Sequence, residues 1–284
     1  EGRLSCRSRI GRRLWRRWLE LNAFNPVVHI EAATIILMLA LFSLKLKLLD
    51  RGGILASIPI GYVIYVFGGV DYFILLLVFY LTSGAATKLR VRQIGRDVLD
   101  KDSIRGWRNV VANGAAAAII SLLNITGFNR GRITAAYLGA VGTAFADTLA
   151  TEIGLLYPRE PRLITNMKRV LRGTPGAVSP YGYLGGIGAL LILILSSMAV
   201  GATDFRLVVA TMVSGVLGMT IDSVLGATIQ SKYRCVICGK LTESRVHCGM
   251  AAEMVDGISI IDTHMVNLMS TVLGALIAYL IASA

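Results

Sequence analysis

The chain has 284 residues, of which 55% are hydrophobic and only 16% charged, and its mean hydropathy is +0.65. A soluble domain of that size needs a thicker polar shell, so the composition excludes the ordinary soluble class and points to the membrane. The net charge of +12 lies between apolar stretches rather than within them, which suits loops beside an anionic leaflet and a phosphorylated substrate and argues against nucleic acid as a partner.

Residues 1–26 are Arg-rich. The apolar stretch that follows lacks an A-x-A-like exit, so no cleaved signal peptide is expected. The run Arg12-Arg13-Leu14-Trp15-Arg16-Arg17-Trp18 reads as an amphipathic anchor lying in the membrane interface. From 27 to 284 the sequence reads as one transmembrane domain, an all-α polytopic bundle of about seven to eight helices. Eight apolar segments fall at 27–44, 52–69, 70–87, 109–127, 132–154, 182–201, 205–230 and 264–283. Gly68-Gly69 marks a tight turn between the second and third. Gly139/Gly142, Gly215/Gly218 and Ala115 to Ala118 would let neighbouring helices approach closely.

Lys and Arg number three, seven, five and four in the odd-numbered loops, against none, two and one in the even-numbered loops. The odd loops are therefore expected on the cytoplasmic side. The seven Arg of the N-terminal segment dissent from that count: either the first apolar segment does not fully span, or the basic run lies as an anchor in the interface.

An ionisable residue inside a spanning helix costs about 2.5–3.5 kcal/mol, so each one asks for a partner or a role. Segment three ends at Lys88. Segment four opens with Asn109 and Asn113, one turn apart on one face. Segment five carries Asp147-Thr148 and Thr151-Glu152, segment seven carries Asp222-Ser223 and ends at Gln230, and segment eight opens with Asp262 and Asn267. Under the alternating topology all of these gather at the cytoplasmic end, with both Asp residues about two turns inside it. Segments five and seven also resemble one another, as Gly139-x2-Gly142-x4-Asp147-Thr148 and Gly215-x2-Gly218-x3-Asp222-Ser223. Two carboxylates with Asn side chains form an all-oxygen site suited to Mg²⁺ and nucleotide phosphates. Structural pairing of the acids with loop Arg or Lys is the plainer alternative.

The loops supply positive charge. The third holds Arg90, Arg92, Arg96, Arg105 and Arg108 around Gly106-Trp107, and the fifth holds Lys168-Arg169 and Arg172-Gly173-Thr174-Pro175-Gly176-Ala177-Val178-Ser179. Glycines free backbone N–H groups to line up on an anion, although no Walker A pattern is present. In the seventh loop, 231–261, Cys235-Val236-Ile237-Cys238 precedes His247-Cys248. These four are a candidate zinc site, with reduced thiols or a disulfide as the alternatives. Adjacent His-Cys ligation is geometrically awkward, so one of His247 and Cys248 could be a bystander.

The runs Arg108-Asn109-Val110-Val111-Ala112-Asn113-Gly114, Ala146 to Gly154, Gly173 to Ser179, Asp222 to Ala227 and Val266-Asn267 occur in this order. Together they resemble the integral-membrane family of transmembrane protein nineteen and plant phytyl-phosphate kinase, over roughly 50 to 284. The resemblance implies a kinase that passes a phosphoryl group from a nucleoside triphosphate, CTP favoured, to an isoprenoid monophosphate such as phytyl or geranylgeranyl phosphate. It implies Asp147, Glu152 and Asp222 as Mg²⁺ ligands, and Asp147, Asp222, Lys88 and Lys168 as catalytic groups. Asn109, Asn113, Arg172, Gly173, Thr174, Gly176, Ser179, Ser223 and Asn267 would then contact nucleotide and phosphates. The expected partners are the nucleotide, the isoprenoid phosphate, the lipid bilayer and, as an option, a second copy of the chain. A lipid-alcohol kinase or a CTP-dependent lipid cytidylyltransferase would use the same groups. An ion-coupled transporter would place its acids at the midplane instead.

Overall fold

The structure, a computed structural model, describes residues 25–94, 104–202 and 204–284. The N-terminal anchor, Cys6 and Arg96 lie outside the described residues.

Eight helices follow in chain order: α1 (Pro26–Leu46), α2 (Arg51–Val63), α3 (Val70–Ile94), α4 (Trp107–Leu122), α5 (Arg130–Gly154), α6 (Pro180–Ala199), α7 (Phe205–Thr228) and α8 (Thr263–Ile281). Each is long and apolar enough to cross a membrane, α2 together with the π-helical turn Ile64–Gly68 and α4 together with the 3₁₀ turn Leu123–Thr126. Short polar side chains set the starts by accepting otherwise orphaned N–H groups. Asn25 takes the Val27 N–H at 3.0 Å and Asp50 the Gly53 N–H at 2.6 Å. Ser179, Asp204 and Asp262 cap α6, α7 and α8 in the same way. Gly69, at φ 86, makes the turn between α2 and α3 expected at Gly68-Gly69.

α5 is the central element, packed against α3, α4, α6, α7 and α8. Its small residues explain this position: Ala135, Ala136, Gly139, Ala140, Gly142, Ala144 and Ala146 leave room for neighbours all round. The approaches are close. A Cβ on Gly139 would lie 2.5 Å from the Gly274 carbonyl oxygen of α8, and one on Gly218 of α7 would collide with Thr143. α1 packs chiefly against α2 and its continuation, shares a hydrogen bond between Ser43 and Tyr80 of α3, and presents Leu37, Met38 and Leu41 outward.

The membrane part is all-helical, as expected. Outside it the loops carry strands that the sequence did not signal. In the fifth loop β1 (Arg162–Leu163) pairs with β2 (Ala177–Val178). In the seventh, β3 (Lys232–Arg234), β4 (Leu241–Thr242) and β7 (Glu253–Asp256) form a sheet in the order β4-β3-β7. Beside it, β5 (Val246–His247) pairs with β6 (Met250–Ala251). Strands of two to four residues are too short to show a period-two pattern.

Candidate functional site

The contacts of α5 fix the depth of the acids. Gly218 of α7 rests on Thr143 of α5, and Thr143 Oγ1 reaches the Ser214 carbonyl at 3.4 Å. Asp222 and Asp147 each follow four residues later in parallel helices, so one further turn brings both to one depth. On antiparallel α8, Gly274 also meets Thr143. One turn back from it, Ser270 Oγ donates to Asp222 Oδ2 at 2.8 Å.

Both acids open into a cavity of about 990 Å³ at the odd-loop end of the bundle. Its walls include Asp147 and Thr148 of α5, Asp222 and Ser223 of α7, Asn267 of α8, Arg108 and Asn109 of α4, and the whole run Arg172 to Ser179. Three helices, α4, α6 and α8, begin at its edge. Alternating topology makes this unavoidable, because every even-numbered helix starts where the odd loops lie. Their N-termini add positive potential and free N–H groups, which favours an anion.

The fifth loop is held by backbone contact. Gly176, at φ 75, lies so close to α7 that a Cβ there would be 2.5 Å from both Ala227 N and Ala227 Cβ. Within the loop, Thr174 Oγ1 donates to the Leu171 carbonyl and Arg172 Nη2 to the Pro158 carbonyl. Ser179 Oγ accepts the Gly182 N–H at 3.1 Å. These side chains brace the loop and the start of α6.

Four expected site residues sit differently. Lys88 is beside a separate small pocket with Tyr80, Thr87 and Arg105, and is not in the cavity wall. Lys168 is exposed on the hairpin and also outside the wall. Asn113 is buried one turn beyond Asn109, where its Nδ2 donates to the Asn109 carbonyl at 2.9 Å, and it does not reach the cavity. Glu152 does line the cavity, but its carboxylate is engaged by Arg90 Nε at 2.6 Å and Thr87 Oγ1 at 2.7 Å, with Arg105 at 4.0 Å. Burial pulls the Arg105 guanidinium below its usual range, and Glu152 opposes that shift. Glu152 therefore ties α3 and the third loop to α5.

Gln230, expected from the sequence as the polar end of segment seven, does line the wall, whereas other wall residues, Ser231 among them, came from no sequence signal. Gln230 and Ser231 are buried at the end of α7, and neither Gln230 Nε2 nor Ser231 Oγ has a hydrogen-bond partner among the described residues. Buried polar atoms of this kind are normally satisfied, and here they border the cavity. The seventh loop forms its roof through Tyr233, Glu243, Arg245 and His247. Lys232 pins that roof to the bundle, with Nζ donating to the Ala227 carbonyl at 2.8 Å and to Asp256 Oδ2 at 2.7 Å. The Lys232 bond holds the Asp256 carboxyl below its ordinary range.

Comparison with known proteins adds ancestry to this geometry. Uncharacterized membrane protein MJ0933 of Methanocaldococcus jannaschii is 30% identical over 242 residues, spanning 84% of this chain and 96% of that protein. Protein PGR of Arabidopsis thaliana is 31% identical over 276 residues, covering 88% and 94% of the two chains. The chloroplastic Protein VTE6 of the same plant is 30% identical over 191 residues, 65% of this chain and 57% of its own. No solved structure matches. A family model described as integral membrane protein DUF92 matches residues 34–275, and the chain belongs to that family.

Proposed function

We propose that the chain is a membrane-embedded lipid kinase that moves the terminal phosphoryl group of a nucleoside triphosphate, CTP foremost, onto an isoprenoid monophosphate. The observation that carries this reading is the cavity of about 990 Å³ that unites Asp147 and Asp222 at one depth with Arg108, the Arg172 to Ser179 loop and three helix N-termini. The ordered motifs shared with the phytyl-phosphate kinase family support the same chemistry.

A monophosphate oxygen of the lipid is already anionic and attacks the terminal phosphorus directly. One P–O bond forms, the bond from that phosphorus to its bridging oxygen breaks, and the nucleoside diphosphate leaves with the electron pair. No proton need be removed from the nucleophile, so the protein's task is positioning and charge neutralisation. Arg108 and the N-termini of α4, α6 and α8 would hold phosphate oxygens. Gln230 and Ser231 would donate to the ligand what no protein group accepts.

The donor set fits Mg²⁺: Asp147, Asp222, Asn109 and Asn267 all offer hard oxygen atoms to one space. When bound, the ion supplies charge neutralisation between the phosphates. Ser270 orients Asp222 for that purpose. The prenyl tail would remain in the bilayer along α6, where Leu184, Ile187 and Leu191 form an exposed apolar stripe beginning beside cavity-lining Tyr183. The excess of Lys and Arg in the odd loops supports a cytoplasmic cavity.

The test is incubation of purified protein with phytyl or geranylgeranyl phosphate, Mg²⁺ and each nucleoside triphosphate, with lipid products read by mass spectrometry. A prenyl diphosphate made by the wild type and lost in Asp147→Asn is the expected result. A nucleoside-diphosphate lipid would transfer the site to cytidylyl transfer, a product from prenol would make it an alcohol kinase, and no product with any nucleotide would overturn the enzyme reading.

A further inference from the structure

Apart from the Lys232 anchor and the buried Tyr233 and Cys235, the seventh loop carries little apolar packing. Its strands β3 to β7 are two to four residues long, and Val236, Ile237, Val246, Met250 and Ile260 are all exposed on it. A segment without a core needs a staple. Yet this loop forms the roof of the cavity, so something must fix it.

Two tight turns face each other within it. The first joins β3 to β4 and contains Cys235 and Cys238. There the Cys238 N–H points at Cys235 Sγ at 3.5 Å, the Gly239 N–H donates to the Cys235 carbonyl at 2.9 Å, and Gly239 takes φ 71. The second joins β5 to β6 and contains His247 and Cys248. Neighbouring residues of an extended chain point to opposite faces, but Cys248 is left-handed at φ 53 and Gly249 continues the turn at φ 77. That geometry brings Cys248 Sγ to 3.1 Å from His247 Nδ1. His247 Nδ1 also lies 3.6 Å from Cys238 Sγ across the gap. All four ligating atoms fall within 4.8 Å of one another. A tetrahedron with Zn–S of about 2.3 Å and Zn–N of about 2.0 Å has edges of roughly 3.5–3.8 Å, so a small adjustment, the longer separations closing and the 3.1 Å His247–Cys248 separation opening, would enclose the ion.

We propose that Cys235, Cys238, His247 and Cys248 bind one zinc ion, and that this ion clamps the two turns together and so holds the roof over the cavity. The set is thiolate-rich and closed, with four protein ligands and no open position, which is the pattern of a structural rather than a catalytic centre. Its second consequence is positional. His247 and Arg245 are roof residues of the cavity, and Arg245 Nη2 donates to the Ser259 carbonyl at 2.6 Å. Clamping the β5–β6 turn to the β3–β4 turn fixes both side chains. The inference does not depend on which reaction the cavity performs.

The experiment uses the full chain, purified in detergent without added metal or chelator. Elemental analysis is expected to find one zinc per chain, lost in Cys238→Ser and in Cys235→Ser. Cobalt supplied in place of zinc is expected to give the thiolate charge-transfer and tetrahedral d–d absorption of a sulfur-rich site. Hydrogen exchange reads the roof: zinc removal from the wild type by a chelator should raise exchange across 231–261 while α5 to α8 stay protected. This arm remains informative if the serine variants fail to fold. A wild-type chain with no zinc and freely reactive thiols at Cys235, Cys238 and Cys248, or with a disulfide among them, would overturn the metal site. Zinc loss with unchanged exchange in 231–261 would overturn its role in the roof.

Discussion

Arg90 on α3 and Glu152 on α5 share a charge-assisted hydrogen bond of 2.6 Å, with side chains only 2% and 9% exposed. Thr87 and Arg105 converge on the same carboxylate. Glu152→Gln would leave two buried guanidinium groups short of their counter-charge, and removing one partner of a buried pair costs about 3–5 kcal/mol. A large fall in thermal stability in detergent is expected. Thr87→Val, which deletes one neutral donor, should cost only about 1 kcal/mol. Equal losses in the two variants would refute the assignment of Glu152 as a structural ion-pair centre.

Asp147→Asn and Asp222→Asn should leave the fold intact and abolish prenyl diphosphate formation, by at least about a hundredfold each if the carboxylates stabilise charge in transfer. Ser270→Ala removes the hydroxyl that orients Asp222, so a smaller loss of about tenfold is expected, equivalent to about 1.4 kcal/mol. Turnover of each variant in the mass-spectrometric assay checks the ranking. A Ser270→Ala effect larger than that of Asp222→Asn would contradict it.

Gly176 and Gly188 make a matched pair of tests. A methyl group on Gly176 would meet the backbone of Ala227 at 2.5 Å in a left-handed conformation, whereas Gly188 has open space around it. Gly176→Ala should push the fifth loop off α7 and disable the cavity. Gly188→Ala should be neutral or stabilise the helix by up to about 1 kcal/mol. Activity and melting temperature measured together distinguish the two outcomes.

Lys88→Ala and Lys168→Ala test residues that the motifs nominate and the geometry moves aside. Neither lies in the cavity wall, so turnover within about twofold of wild type is expected, in line with surface substitutions that cost no more than about 0.5 kcal/mol. Arg108→Ala is the contrast. Its guanidinium is in the wall and paired with Asp262 at the start of α8, so its loss should raise the nucleotide requirement sharply. Comparable kinetics in all three would show that wall position is not what selects the working cations.

The eight spans, the gathering of Asp147, Asp222, Asn109 and Asn267 at one end, and the Cys/His set in the seventh loop are all legible in the chain before it folds. They rest on local quantities: apolar length against bilayer thickness, and the strict alternation of helix direction. Which polar residue does what is a matter of packing. Glu152 stands five residues past Asp147 on α5 and reads in the chain as another acid of the same site. Only the approach of α3 brings Arg90 onto it and makes it an ion-pair partner. Likewise Lys88 and Arg90 are two residues apart on one helix, and the helical turn sends one to Glu152 and the other away from the cavity. Ser231 and the roof strands gave no sequence signal, because their significance lies in an unfilled hydrogen bond or a two-residue pairing, and Gln230, legible as the polar end of its segment, shows its unfilled hydrogen bond only in the fold. Spans are set by transfer of a segment into lipid, which each segment decides alone, whereas side-chain roles are set by which partner is near enough to satisfy a buried charge, and that distance exists only once the helices have packed.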